Sequence, residues 1–346
     1  MEHTGLNQTD DGETVLLCYP HLQGSCPRLN RLPVVQLTMY FFISTMILMT
    51  VCGNLLVIIS ISHFRQLHGP TNFIILSLAL VDCCLGCFVM PFTMVKTVEG
   101  CWYFGQFFCQ FHSSLDMMLC TTSILHLCLI SIDRYFAICE PLQYRTKITT
   151  FKVTVLVVIM WLFSFAFSFG LMFSGANSVG FEEFILLNAC AGSCLLLFNT
   201  EWGIIAPLVS FFIPGCVMSC LYIKIFHVAR THAKVMSKRL ATVTCSELKN
   251  QASEQRERKA AKTLAVVMGV FLICWTSFFL ILVIDPFVNF STPVEVFDTF
   301  FWIGYFNSTC NPIIYAFFYP HFRKAFKIII AKTCGINTAK NITLSL

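Results

Sequence analysis

Charge is what this sequence has least of: 23 Lys+Arg and 18 Asp+Glu make up 12% of its 346 residues, against roughly 25% in a soluble domain. That shortage excludes an ordinary soluble enzyme. No H-E-x-x-H or comparable pair of metal ligands occurs in the apolar stretches, so an intramembrane metalloenzyme would lack its ligands, and the chain is read as a non-enzyme without a cofactor. No internal period recurs and the two halves do not resemble each other, which argues against a transporter built from inverted repeats. Residues 1–30 show no basic start followed by an apolar core, so no cleavable signal peptide is read there.

Apolar residues are abundant at 56%, with 36 Phe and a mean hydropathy of +0.73. One globular core of this length cannot hide so much, and the excess must face lipid. Most of the 19 Cys lie inside apolar runs, where Cys behaves as a small hydrophobe. A membrane helix needs about 20 apolar residues to cross about 30 Å of hydrocarbon. Seven stretches qualify: Val34 to Ser62, Asn72 to Val95, Gln106 to Cys139, Lys152 to Phe173, Thr200 to Ala229, Lys259 to Ile284 and Val294 to Phe318. The expectation is an all-α membrane protein, a seven-transmembrane helix bundle over 34–319. An N-terminal tail spans 1–33, and an amphipathic helix with a tail spans 320–346.

Cationic residues set the expected orientation, since short cytoplasmic loops collect Lys and Arg. Only Arg28, Arg31 and Lys96 lie on the N-terminal side, leaving 20 on the other. The N-terminus is therefore expected outside and the C-terminus in the cytoplasm, at the plasma membrane. Asn7-Gln8-Thr9 then becomes a glycosylation site in an exposed tail, and Asn289-Phe290-Ser291 a weaker one close to the membrane. The connector from Arg230 to Arg258 is basic and polar, a solvated element. After Pro320, the run His321 to Ile330 sets apolar residues opposite cations, as in a helix lying on the inner leaflet. Cys334 follows as a candidate for palmitoylation.

An ionisable group inside a span needs a partner or a purpose, because it costs about 2.5–3.5 kcal/mol on insertion scales. Asp82 sits near the centre of the second run, Asp116 in the outer part of the third, and Asp133-Arg134 at its inner end. Asp116 and Arg134 are 18 residues apart, about five turns and 27 Å on one helix face. One helix thus links the two membrane surfaces. Asp116 reads either as an anion awaiting a cationic ligand or as a structural carboxylate. No Lys or Arg is read in the outer half of any span to neutralise it. Trp275, Phe278 and Phe279, with Phe301, Trp302 and Tyr305, would form a cation–π cage around an ammonium, or are plain helix packing. Asp82 has hard oxygen companions in Ser123, Asn307, Ser308 and Asn311, suited to a sodium ion or to a water network. Arg134 has Asp133 beside it and Glu257 at the inner start of the sixth run, which would make a latch between the third and sixth helices.

These residues resemble the helix-by-helix markers of rhodopsin-like (class A) G-protein-coupled receptors: Asn54 in Gly53-Asn54-Leu55-Leu56-Val57, Asp82 in Leu78-Ala79-Leu80-Val81-Asp82, Asp133-Arg134-Tyr135, Trp161, Pro214 with Tyr222, Cys274-Trp275, and Asn311-Pro312-Ile313-Ile314-Tyr315. Within that class the chain is similar to trace amine-associated receptors, through His68-Gly69-Pro70-Thr71-Asn72, Cys101-Trp102-Tyr103-Phe104-Gly105, Glu257 to Leu264, Ile284-Asp285-Pro286-Phe287 and the seventh run from Asn307 to Pro320. The resemblance implies that Asp116 pairs with the ligand ammonium above the toggle Trp275, with Cys120 and Tyr305 in the pocket. It implies that Arg134 and Tyr222 engage a heterotrimeric G protein of the stimulatory type, raising cyclic AMP in olfaction.

The resemblance also implies bridges from Cys109 to Cys194 and from Cys26 to Cys190, with Cys18 the runner-up for the tail. Departures from the family pattern are Ser277 where Pro is expected two residues after Trp275, and His321 in place of Trp. The fifth-helix serine row is reduced to Ser210 beside Ala206 and Pro207, which disfavours catecholamines. The seventh run contains no Lys, which removes a retinal Schiff base. Asp285, Glu295 and Asp298 near the outer rim would hold the second ammonium of a diamine or polyamine, or are solvated acids. A neurotransmitter-amine receptor remains as an alternative, and an organic-cation transporter as a remote one.

Overall fold

A computed structural model describes residues 7–8, 14–180, 182–183, 185, 189–194, 197–239, 266, 268–288, 291–318 and 320–333. Glu257, Asn289, Cys334 and most of the 230–258 connector lie outside the described residues. Seven long helices are seen: Pro33–His63, Pro70–Phe88 continuing as Met90–Glu99, Gln106–Cys139, Thr150–Ser174, Thr200–Val228, Met268–Val288 and Val294–Phe318. They are called the first to seventh spans. Pro33 and Pro70 open the first two, where a missing N–H costs nothing. The third span is central. Of its apolar stretch 72% is buried, against 22% in the first and 28% in the fourth, whose Phe163 and Phe165 turn outward with Phe41 and Phe42 of the first. The apolar excess therefore forms the rim that lipid covers.

Polar bonds and small residues set how closely the spans approach. Asn54 donates to the carbonyls of Thr50 and Ser308, and the hydroxyls of Thr50 and Thr309 lie 2.6 Å apart, tying the first span to the seventh. A Cβ on Gly53 would stand 3.0 Å from Pro312. In the second, third and fourth spans, Ser77 joins His126 (2.8 Å) to the Trp161 indole (3.1 Å).

Two proline-linked breaks escape a reading by hydropathy. The second span is interrupted at Val89, two residues before Pro91, and resumes as the ten-residue helix Met90–Glu99. In the fifth span Pro207 cannot donate, and the ladder widens into a π-helical turn over Leu208–Phe212. The fourteen-residue helix Pro320–Thr333 buries Phe322, Ala325 and Phe326 on one side and exposes Arg323, Lys324 and Lys327.

The all-α expectation needs one addition, a two-stranded ladder in the tail pairing Asn7 with Val15 and Gln8 with Thr14. Three bridges hold the tail end of the bundle: Cys18–Cys101, Cys26–Cys190 and Cys109–Cys194. Cys18 is thus no substitute for Cys26, because each takes its own partner. Backbone bonds reinforce them, with Cys26 N–H donating to Ala191 and Trp102 N–H to Gly192. Gly192 has φ +100°, and a Cβ there would stand 2.8 Å from that of Cys18, so only glycine fits between the bridges.

Candidate ligand pocket and polar network

Beneath this cover lies a cavity of about 130 Å³, walled by the second, third, fifth, sixth and seventh spans. It suits a small organic molecule. Asp116 projects into it from the third span with 8% exposure. Its Oδ1 accepts from the Tyr305 hydroxyl at 2.8 Å and from the Cys120 thiol at 3.4 Å. Tyr305 is wholly buried and stands behind Asp116 rather than in the cavity wall. Trp275, Phe278, Phe279 and Phe301 line the apolar side. Their rings pack edge-on or tilted, with centroids 5.8 Å apart for Trp275–Phe278 and 5.0 Å for Phe278–Phe301. Trp302 turns away and donates its indole N–H to Thr97. Ser210 reaches the wall, but its hydroxyl donates to the Ala206 carbonyl at 2.7 Å. Phe297, Met117, Thr121, Phe198 and His112 are also part of the lining.

Lys96 requires a correction. The expectation that no cation lies in the outer half of a span fails, because the helical stretch after Val89 carries Lys96 onto the cavity wall. Its ammonium acts electrostatically on both Asp116 and Asp298. A spacing signal existed: Lys96 follows Asp82 by about four helical turns and so shares its face. The rim acids also separate. Asp298 lines the cavity. Glu295 is exposed, and Asp285 accepts from the Thr292 N–H at 3.3 Å, outside the cavity. Of the three, Asp298 is the one that lines the cavity, and Glu295 contributes a like charge at Asp298 from outside it.

Deeper in the bundle, the fully buried Asp82 accepts from Ser123 (3.3 Å), Ser308 (2.8 Å) and Asn311 (2.8 Å). Asn307 is buried but is not among the groups bonded to Asp82. The side-chain carbonyls of Asn54 and Asn311 are buried with no protein partner among the described residues, acceptors that an ordered water would satisfy. The oxygen-rich set also fits a small hard cation such as sodium.

At the far end, Asp133 is fully buried and accepts from Tyr144 (3.0 Å), Thr71 (2.9 Å) and Arg134 Nε (2.8 Å). The Arg134 Nη2 also contacts Asp133 and Thr71. Arg134 is thus held between the third span and the first turn of the second, and the Glu257 contact expected for it lies outside the described residues. Tyr144, which the sequence did not single out, sits on the short helix Pro141–Lys147 and binds that helix to Asp133. The Tyr135 hydroxyl approaches Glu140 at 3.4 Å. Tyr222 packs on Ile138 and Ile225, while Tyr315, three residues after Pro312, stacks on Phe322.

Comparison with known proteins agrees with this architecture. Residues 53–315 match the family described as 7 transmembrane receptor (rhodopsin family). The chain is 50% identical over 320 residues to trace amine-associated receptor 4 of Mus musculus, covering 92% of each chain. It is 48% identical over 326 residues to trace amine-associated receptor 2 of Homo sapiens, covering 93% of this chain and 91% of the relative. Trace amine-associated receptor 1 of Homo sapiens is 45% identical over 315 residues, 90% and 93% of the two chains. A third span with Asp116 at a cavity and Asp133-Arg134 at the opposite end, together with these matches over nine-tenths of the chain, makes it a multi-pass membrane protein without enzymatic activity: it belongs to the rhodopsin family of seven-transmembrane receptors, in the trace amine-associated group.

Proposed function

We propose that the chain is a plasma-membrane receptor for protonated amines that couples to a stimulatory G protein, raises cyclic AMP and serves olfaction. The observation that carries the reading is Asp116: a carboxylate with 8% exposure, held by Tyr305 and facing a cavity whose wall includes Trp275, Phe278, Phe279 and Phe301. A primary ammonium there gains a charge-assisted hydrogen bond and cation–π contacts together. The relatives' names, which contain the words trace amine, support the ligand class. Three disulfides at the tail end support an N-terminus outside the cell and a C-terminus in the cytoplasm, because such bridges form in oxidising compartments.

In this reading the ligand binds one state of the bundle better and shifts the population toward it. Trp275 lies directly under the ligand, Asp82 with Ser123, Ser308 and Asn311 forms a polar hinge that holds water or sodium, and release of Arg134 opens the inner face to the G protein with Tyr222, Asn311, Pro312 and Tyr315. Asn7 carries a glycan in the exposed tail.

The test is Asp116→Asn at matched surface expression in a cyclic-AMP reporter. Leaving the ligand's buried charge unpaired costs about 2–5 kcal/mol, which weakens potency about thirtyfold or more. Amine potency equal to wild type would defeat the proposal.

A further inference from the structure

The cavity holds three formal charges of its own. Asp116 comes from the third span, Asp298 from the start of the seventh and Lys96 from the end of the second, and all three line one space. The other groups on the turn that carries Lys96 are engaged elsewhere. Glu99 pairs with Arg28 and accepts from Tyr40, and the Thr97 and Val98 carbonyls take Arg31. The Trp302 indole donates to the Thr97 hydroxyl, which ties the seventh span to the second one residue from Lys96. Arg31 and Glu295 act on Asp298 with opposite signs from outside the cavity, the Arg31 guanidinium bound to those carbonyls and Glu295 exposed.

Two carboxylates and one ammonium leave the cavity one negative charge. One ammonium from solution neutralises it. A second would have to approach Asp298 against a like charge already in place, which is specificity by repulsion. We propose that Lys96 is the specificity-determining residue of this pocket, a tethered ammonium that answers Asp298 and restricts the receptor to ligands bearing a single ammonium, excluding α,ω-diamines and polyamines. The inference rests on the reading of Asp116 as the partner of the ligand amine. It opposes the alternative in which Asp298, with Glu295 and Asp285, holds a second amine, because the second cation is covalently part of the chain.

The test compares n-alkyl monoamines with chain-matched α,ω-diamines in the cyclic-AMP reporter, at matched surface expression. Wild type is expected to respond to monoamines at lower concentration than to diamines. Lys96→Met keeps an unbranched side chain one atom shorter but leaves the cavity with two negative charges. It should move the diamine-to-monoamine potency ratio toward the diamine by about tenfold or more. Lys96→Gln serves the same purpose should Lys96→Met fail to reach the surface, and Lys96→Arg should keep the wild-type ratio. Asp298→Asn frees Lys96 to compete for Asp116 and should weaken monoamines, and Lys96→Met in the same chain should restore them.

A purely structural lysine would weaken both ligand series alike and show no such rescue. A ratio unchanged in Lys96→Met, or a wild type equally sensitive to both series, overturns this inference while leaving the amine reading intact. A wild type silent to every amine overturns both.

Discussion

Gly304→Ala tests how the seventh span positions Trp275. A Cβ at Gly304 would stand 2.8 Å, 2.9 Å and 3.0 Å from three carbons of the Trp275 six-membered ring. Ordinary contact begins at 3.4 Å, so the indole must retreat by about 0.6 Å. It has little room, being 3% exposed and packed against Phe278 and Phe279. Overpacking of this kind costs about 1–3 kcal/mol, and replacing Gly by Ala inside a helix returns about 1 kcal/mol. The net loss is about 0–2 kcal/mol, and the double variant Gly304→Ala/Trp275→Phe should recover it with a coupling of about 1 kcal/mol or more.

The assay is thermal inactivation of the detergent-solubilised receptor, read as retained ligand binding, together with basal and amine-evoked cyclic AMP in cells. The expected result is a single variant that is less stable, with a changed ratio of basal to evoked signal, and a double variant closer to wild type in stability. A Gly304→Ala receptor with unchanged signalling and no coupling to Trp275→Phe would refute the argument, since it would show that the ring does not lie against the seventh span.

Two further substitutions probe the ends of the bundle. Cys18→Ser with Cys101→Ser removes a bridge that closes 83 residues, for which the chain-entropy treatment gives at most about 4–5 kcal/mol. The spans between already restrain that loop, so the loss should fall well below this figure. Limited proteolysis should nevertheless cut the tail before Cys26 far faster, and unchanged cleavage would show that the bridge does not hold it. Thr71→Val deletes a hydroxyl that contacts both Asp133 and Arg134, a loss of about 1–3 kcal/mol for hydrogen bonds to charged groups. Basal cyclic AMP should rise several-fold as Arg134 loosens, and a fall at equal surface expression would contradict the assigned holding role.

The spans were legible because lipid imposes a length and a composition that few other environments require. The third and seventh runs, Gln106 to Cys139 and Val294 to Phe318, coincide with their helices. Interior irregularities were not legible in the same way. Pro91 and Pro207 sit inside apolar runs that hydropathy scores as continuous, yet each lacks the N–H that a regular ladder needs, and the chain answers with a break at Val89 and a π turn at Leu208–Phe212. Lys96 was missed for a related reason. It lies one residue beyond the apolar run that ended at Val95, so it was grouped with the loop cations, while the structure continues the helix to Glu99 and turns Lys96 inward. Cys101 had a signal in parity. Cys18, Cys26, Cys101, Cys109, Cys190 and Cys194 are the cysteines near the tail end, and their even number allows three pairs where two were assigned.

The stapled tail end also constrains how the receptor is made. Cys26 leaves the ribosome 164 residues ahead of Cys190, an interval of roughly half a minute at the slower end of synthesis rates. During that time Cys26 and Cys109 are without their final partners, and six cysteines permit about 15 pairings. Bridging in order of synthesis would join Cys18 to Cys26, a pairing the finished molecule does not contain. A Cys18–Cys26 bridge made in that order would have to reopen by thiol exchange before the observed pairs could form.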